Sequence, residues 1–140
     1  MKPCAPDAPC PCGAVAESTK GKRSAAAYLQ CCGRFLEGGA VAPDAEHLMR
    51  SRYTAFVLER EAYLLVSWHA SHRPASIAFE PGVKWLGLDV RAHTPIDADR
   101  AQVEFVARSK SPGMAAVRLH ERSRFVREQG QWLYVDGDML

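Results

Sequence analysis

No cysteine follows Cys32 in this chain of 140 residues, although the N-terminal segment holds five. A disulfide framework spreads its bridges over a fold, so this distribution argues against one. Long apolar runs are missing too. Met1-Lys2-Pro3-Cys4 leads into a proline-rich stretch with nothing to serve as a signal peptide or membrane span, so the expected compartment is the cytoplasm, without membrane association. Charge of one sign is not in excess: the formal net charge is +2, a weak footing for a protein whose main task is gripping nucleic acid. Neither a phosphate-cradling glycine loop nor a Ser-His-Asp order is recognisable.

What is present begins with a strong helix signal from Pro43 to Leu58. Asp44 is placed to accept a hydrogen bond from an otherwise unpaired amide as N-cap, and Glu46 suits the positive end of the helix dipole. Ala45, Leu48, Met49, Tyr53 and Phe56 recur at helical spacing and define one apolar face. Arg52 falls in the middle of that face. A charge there must snorkel outward or find a buried carboxylate.

After this helix, Glu61 to Trp68 gives a second short amphipathic segment, ended by His69, His72 and Pro74, which read as polar loop residues. From Lys84 the period changes from helix to strand. Leu86, Leu88, Val90 and Ala92 alternate with Trp85, Gly87, Asp89 and Arg91; Val103, Phe105 and Ala107 alternate with Gln102, Glu104 and Arg108. A long strand is expected over 115–127, and Gln129-Gly130 reads as a hairpin turn before Trp132 to Asp136. Helices followed by an antiparallel meander make an α+β layout. In the long strand Ala115, Val117, Leu119, Glu121, Ser123 and Phe125 share one face, so a carboxylate points inward with the apolar residues. Glu121 is therefore the expected partner of Arg52.

The cysteines fall into Cys10-Pro11-Cys12-Gly13 and Cys31-Cys32. Four soft ligands make a closed tetrahedral site that suits Zn2+ better than a hard cation. Disulfide pairing, reduced structural thiols and a catalytic thiol are the alternatives for the same residues, and Cys4 is a spare thiol. Four thiolates around a divalent ion leave a charge of −2, which Lys20, Lys22, Arg23 and Arg34 are near enough in sequence to balance. Ser24 to Gln30 has a serine cap and good helix formers, so Cys31 and Cys32 are expected at the end of a short helix capped by Gly33. Residues 1–9 read as a mobile tail, 10–40 as the metal-binding segment and 41–140 as the α+β domain.

Cys-Pro-Cys-Gly followed by Tyr28-x-x-Cys31-Cys32-Gly33 resembles the SEC-C zinc motif at the C-terminus of the bacterial secretion ATPase SecA. The blocks Leu48 to Val57, Trp85 to Leu88, Phe105 to Arg108, Glu121 to Phe125 and Trp132-x-Tyr134-x-Asp136-Gly137 resemble the YchJ family, in the right order and over nearly the whole chain. Two features depart from the family pattern. Ala14 follows Gly13 where a serine is usual, with 18 residues between Cys12 and Cys31, and the chain shows no second SEC-C motif before Leu140.

The YchJ resemblance implies a cone similar to nuclear transport factor 2-like proteins, with helices packed on a curved sheet. In such a cone Arg52, Tyr53, Trp68, Trp85, Glu104, Glu121, Trp132 and Tyr134 offer aromatic walls and few polar groups, as a small-molecule site requires. The SEC-C resemblance implies contact with a protein partner. The leading expectation is a non-enzymatic zinc-binding interaction or accessory protein whose cone holds a small ligand. A second is an isomerase- or dehydratase-like enzyme using Glu121 or Glu104 as base, and a third is nucleic-acid binding through the basic insertion with Arg118, Arg122 and Arg124. A homodimer through the sheet is left open, because alternation does not separate an interface from a solvated face.

Overall fold

Asp44 opens the central helix as expected. In the computed structural model, which describes residues 1–17 and 20–140, its backbone is extended and its side chain accepts from the His47 amide at 2.8 Å. The chain runs β1 (Val15–Glu17), β2 (Arg23–Ala25), α1 (Gly33–Leu36), α2 (Ala45–Val57), α3 (Glu61–Val66), β3 (Lys84–Asp97), β4 (Arg100–Lys110), β5 (Val117–Glu128) and β6 (Gln131–Met139). No helix among the described residues is long and apolar enough to cross a membrane.

Helix α2 is buried beyond its apolar face. Ala45, Leu48, Met49 and Tyr53 are covered as the spacing predicts, but so are Ser51, Arg52, Thr54 and Ala55. The reason is position: the sheet packs on one side of α2 and the cysteine segment on another. Ser51 Oγ meets Tyr63 Oη of α3 at 2.6 Å, and Cys10 Sγ meets Thr54 Oγ1 at 3.9 Å. A helix so enclosed must satisfy every polar side chain locally.

Strands β3 to β6 form one antiparallel sheet in sequence order. Alternation on β5 holds from Glu121 to Phe125, with Glu121, Ser123 and Phe125 buried on the inner face, whereas Val117 and Leu119 of the same parity are exposed and Ala115 precedes the strand. On β3 it breaks at a bulge between Trp85 and Gly87. Gly87 has φ of 144°, a conformation that side-chain-bearing residues rarely adopt, so glycine permits the bulge. Strict alternation sets Trp85 against Leu88 and Val90. The bulge instead turns all three toward the core and leaves Leu86 exposed.

Two N-terminal expectations are corrected. Ser24 to Gln30 does not form a helix. Arg23–Ala25 pairs antiparallel with Val15–Glu17, and only Tyr28–Gln30 makes a helical turn, of 3-10 type. Pairing with residues 10–14 takes both a donor and an acceptor that a helix would use: Ala26 N donates to Ala14 O, and Ala26 O accepts from Cys10 N. That pairing overrides alanine's helix propensity and draws the two cysteine pairs together. Gly33 consequently begins α1 rather than capping a helix. Residues 1–9 are not a loose tail either, because Lys2 N donates to Leu58 O, Tyr28 N to Ala8 O and Leu29 N to Pro6 O.

The outer face of the sheet is laced with ion pairs. Glu104 meets His120 Nε2 at 2.9 Å and Arg122 at 3.6 Å, while Arg124 reaches Asp136 at 2.6 Å and Asp138 at 2.7 Å. The basic run expected as a nucleic-acid surface thus has two of its arginines, Arg122 and Arg124, engaged by carboxylates. His120 holds the Glu104 carboxyl below its ordinary value, and Arg124 does the same for Asp136 and Asp138. A carboxyl whose folded pKa is depressed contributes stability above its unfolded pKa and loses it as pH falls through the folded value. The urea midpoint is therefore expected to hold from neutrality to about pH 5 and to fall below the usual carboxylate range of about 4. Arg124→Gln should flatten that decline, and an unchanged profile would refute this account of the face.

Candidate metal centre and cone cavity

Cys10, Cys12, Cys31 and Cys32 converge although the sequence separates the pairs. All four are buried, and their sulfurs lie within 4.8 Å of one another. Cys12 Sγ and Cys31 Sγ are 3.7 Å apart. Four thiolates about 2.3 Å from a central ion, in tetrahedral geometry, have sulfurs roughly 3.75 Å apart. A disulfide would need about 2.05 Å, and all five cysteines are free. Gly13, with φ of 76°, makes the turn after Cys12, and its amide donates to Cys10 O at 3.0 Å. Gly33 lets the second pair approach, since a Cβ there would lie 2.7 Å from Tyr28 O. Cys4 lies outside the group, and burial raises its thiol pKa.

The electrostatics fit a metal centre. Hydrogen bonds from Cys12, Cys31 and Cys32 pull the Cys10 thiol far below its ordinary value, while the thiols of Cys31 and Cys32 are pushed up by those they donate to Cys10. A divalent cation bound among these sulfurs would displace the thiol protons. One cation at the site lies outside the expected group. Arg50 of α2 places Nη1 3.2 Å from Cys12 O and 4.0 Å from Cys12 Sγ, held by Glu46 at 3.0 Å. Of the expected group, Arg34 reaches the site, donating to Cys31 O at 2.9 Å, and Arg23 is exposed. Sequence reasoning missed Arg50. Its signal was the i, i+4 spacing to Thr54, which puts both on one side of α2.

On the opposite side of α2 lies a cavity of about 250 Å³ between the helix and the inner face of the sheet. Arg52, Tyr53, Trp85, Glu121 and Tyr134 line it as expected, joined by Met49, Phe56, Phe105, Ser123 and Phe125. Phe105, Ser123 and Phe125 could have been found from strand parity, since they alternate in step with Val103 and Glu121. Trp68 stands behind the wall, edge-on to Tyr134 with ring centroids 5.4 Å apart. Two expected pocket residues fall elsewhere. Glu104 points outward on β4, paired with His120. Trp132 borders a separate groove with Leu48 and Val66, where Arg127 lies over its ring.

The direct Arg52–Glu121 ion pair is also corrected. Both residues are buried, but no contact within 4.0 Å joins them. Arg52 Nη1 donates to Leu64 O at 2.8 Å and to Ser67 Oγ at 2.6 Å, at the negative end of α3 where carbonyls lack helical partners. Its guanidinium carbon lies 4.9 Å from the Trp68 ring centroid and 4.7 Å from that of Tyr134. Burial lowers its pKa to about 10, so it stays cationic at neutral pH. Glu121 Oε2 accepts from Ser123 Oγ and, at 3.1 Å, from Tyr134 Oη. Tyr134 therefore links the two charges, its ring on one and its hydroxyl on the other. Burial, then the Glu121 carboxylate, raises the Tyr134 phenol pKa and keeps it a neutral donor.

Residues 44–137 match the family described as "YchJ, middle NTF2-like domain". The chain belongs to the YchJ family. A UPF0225 protein of Polaromonas sp. (strain JS666 / ATCC BAA-500) is 64% identical over 135 residues, covering 95% of this chain and 94% of that protein. A second, from Polaromonas naphthalenivorans (strain CJ2), is 60% identical over 134 residues, with 94% and 98% covered. The solution structure of a SEC-C motif containing protein from Rhodopseudomonas palustris superposes with a TM-score of 0.74 at 29% identity, covering 84% of this chain and 94% of that one. The crystal structure of a SEC-C motif containing protein from Psychrobacter arcticus gives 0.72 at 30% identity, with 91% and 80% covered. The YchJ domain and a cysteine cluster placed to hold a metal thus occur together in one chain.

The contacts of Arg52 and Glu121 predict unequal costs. Arg52→Met strands the Leu64 carbonyl and the Ser67 hydroxyl oxygen and removes two ring contacts, a loss of about 3 kcal/mol. Glu121→Gln keeps the shape and one acceptor and should cost about 1 kcal/mol. Gly137→Ala should also destabilise, because its Cβ would lie 2.7 Å from Glu121 Cδ. Urea denaturation measures all three, and equal losses for the first two would contradict the assigned contacts.

Proposed function

We propose that this YchJ-family chain is a zinc-stabilised, non-enzymatic accessory protein whose cone binds a small molecule. The observation that carries the reading is the double engagement of α2. Arg50 and Thr54 touch the cysteine cluster, while Arg52 and Tyr53 line the cavity. Zinc fits four buried thiolates with the guanidinium groups of Arg34 and Arg50 nearby, because it accepts closed tetrahedral sulfur sites without redox chemistry. Its role here is structural: four protein ligands leave no open position for a substrate, and the cluster is part of the core that α2 shares with the sheet.

Cys10, Cys12, Cys31 and Cys32 would hold the ion, with Arg50 reducing the site's negative charge. Bound zinc fixes the N-terminal segment against one side of the helix whose other side forms the cavity wall. The SEC-C likeness supports a further role for this segment, docking a protein partner. An acid–base enzyme is the second reading, favoured by the Tyr134–Glu121 hydrogen bond. Binding is preferred because Arg52 is committed to α3 and both donors onto Glu121 come from the protein itself.

Metal analysis of protein purified without added zinc should find one equivalent of zinc per chain, and Cys31→Ser should retain none. Sites of this kind contribute on the order of 10–16 kcal/mol of apparent binding energy. Chelation should accordingly lower the melting temperature and disturb the fluorescence of Trp85 across α2. A different ion, or full cavity order after metal removal, would overturn the structural role given to zinc.

A further inference from the structure

Resting on the ligand-binding reading above, we propose that the cone cavity selects an uncharged planar molecule, about one substituted aromatic ring in size, that presents a hydrogen-bond donor beside an acceptor. Primary aromatic amides and lactams are the chemical class. Size comes first. A cavity of about 250 Å³ exceeds the roughly 150 Å³ that holds benzene and falls short of the roughly 300–1,000 Å³ of drug-sized pockets. One ring with a small substituent fits between those limits. Shape follows from the walls. Trp85 stands edge-on to Tyr53, with centroids 5.5 Å apart, and tilted against Phe56 at 6.2 Å. Such aromatic walls favour a flat guest.

The polar groups determine the rest. Arg52 donates to protein through Nη1 alone among the described residues, leaving N–H groups on Nε and Nη2. Glu121 accepts through Oε2, leaving Oε1. The one sealed side-chain nitrogen or oxygen without a partner among the described residues is Trp68 Nε1. The spare groups of Arg52 and Glu121 are therefore open, and both residues line the cavity. The site offers a donor and an acceptor of opposite charge that do not neutralise each other directly.

A monoanion entering this space would gain from Arg52 but face Glu121, and a monocation the reverse. Each would also lose its hydration in an apolar enclosure. A neutral amide meets both groups with the matching atom, its carbonyl accepting from Arg52 and its N–H donating to Glu121. Toluene matches the walls but leaves both polar groups unanswered.

The test is a titration of the full-length, metal-loaded chain, followed by amide NMR shifts and tryptophan fluorescence, with benzamide, benzoate, benzylammonium and toluene. Benzamide should bind at least tenfold more tightly than the other three. Glu121→Gln should reverse the order of benzamide and benzoate: the substituted side chain keeps its oxygen on Tyr134 and Ser123 and turns its NH2 inward, so the cavity then presents donors on both sides. The variant's melting curve checks that it is folded. Benzoate, benzylammonium or toluene binding the parent as tightly as benzamide would overturn the selectivity while leaving cavity binding in place. The absence of any cavity shift with all four probes would overturn the ligand-binding reading itself.

Discussion

A guanidinium in the middle of a buried helix constrains everything packed around it. Arg52 retains 6% of its surface, too little for water to solvate the charge. The protein supplies substitutes: a carbonyl and a hydroxyl at the end of α3, and two aromatic faces from Trp68 and Tyr134. Those substitutes order the neighbourhood. The end of α3 must meet α2 at this point, and Trp68 must fold back along β6, where Tyr134 N donates to Ser67 O and His69 N to Tyr134 O. Tyr134 is thereby fixed, and with it the donor that holds Glu121.

The same helix solves a second charge problem on its other side. Four buried cysteines would be negative overall as thiolates around the proposed divalent ion. Arg50 reaches them while Glu46 steadies it from the previous turn. Two arginines two positions apart thus face different environments, one the sulfurs and one the cone. A helix with a single apolar stripe packs on one partner; α2 carries polar anchors because it separates two.

Much of this is legible in the sequence. Asp44 announced the start of α2, the inward parity of Glu121 followed from β5, and the two cysteine pairs announced a cluster. The illegible parts share a cause: tertiary pairing overrode a local rule. Alanine-rich 24–30 favours a helix until its amides are claimed by residues 8–14. Trp85 reads as outward-facing until Gly87 inserts a bulge. Arg52 and Glu121 read as a pair because both are isolated inward charges, whereas the end of α3 and the Tyr134 hydroxyl reach them first. Glu104 pointed outward by the same parity that placed Phe105 inward, and only its chemistry made it attractive as a site residue.

The irregularity of β3 has one more consequence. This strand is an edge of the sheet, long enough to offer another chain a row of unpaired amides and carbonyls. Its register breaks three times, between Trp85 and Gly87, Val90 and Ala92, and Pro95 and Asp97, and Pro95 has no amide to donate. A bent, interrupted edge is a poor template for a foreign strand. What re-aims Trp85 toward the core therefore also makes this rim a poor place for a foreign strand to add.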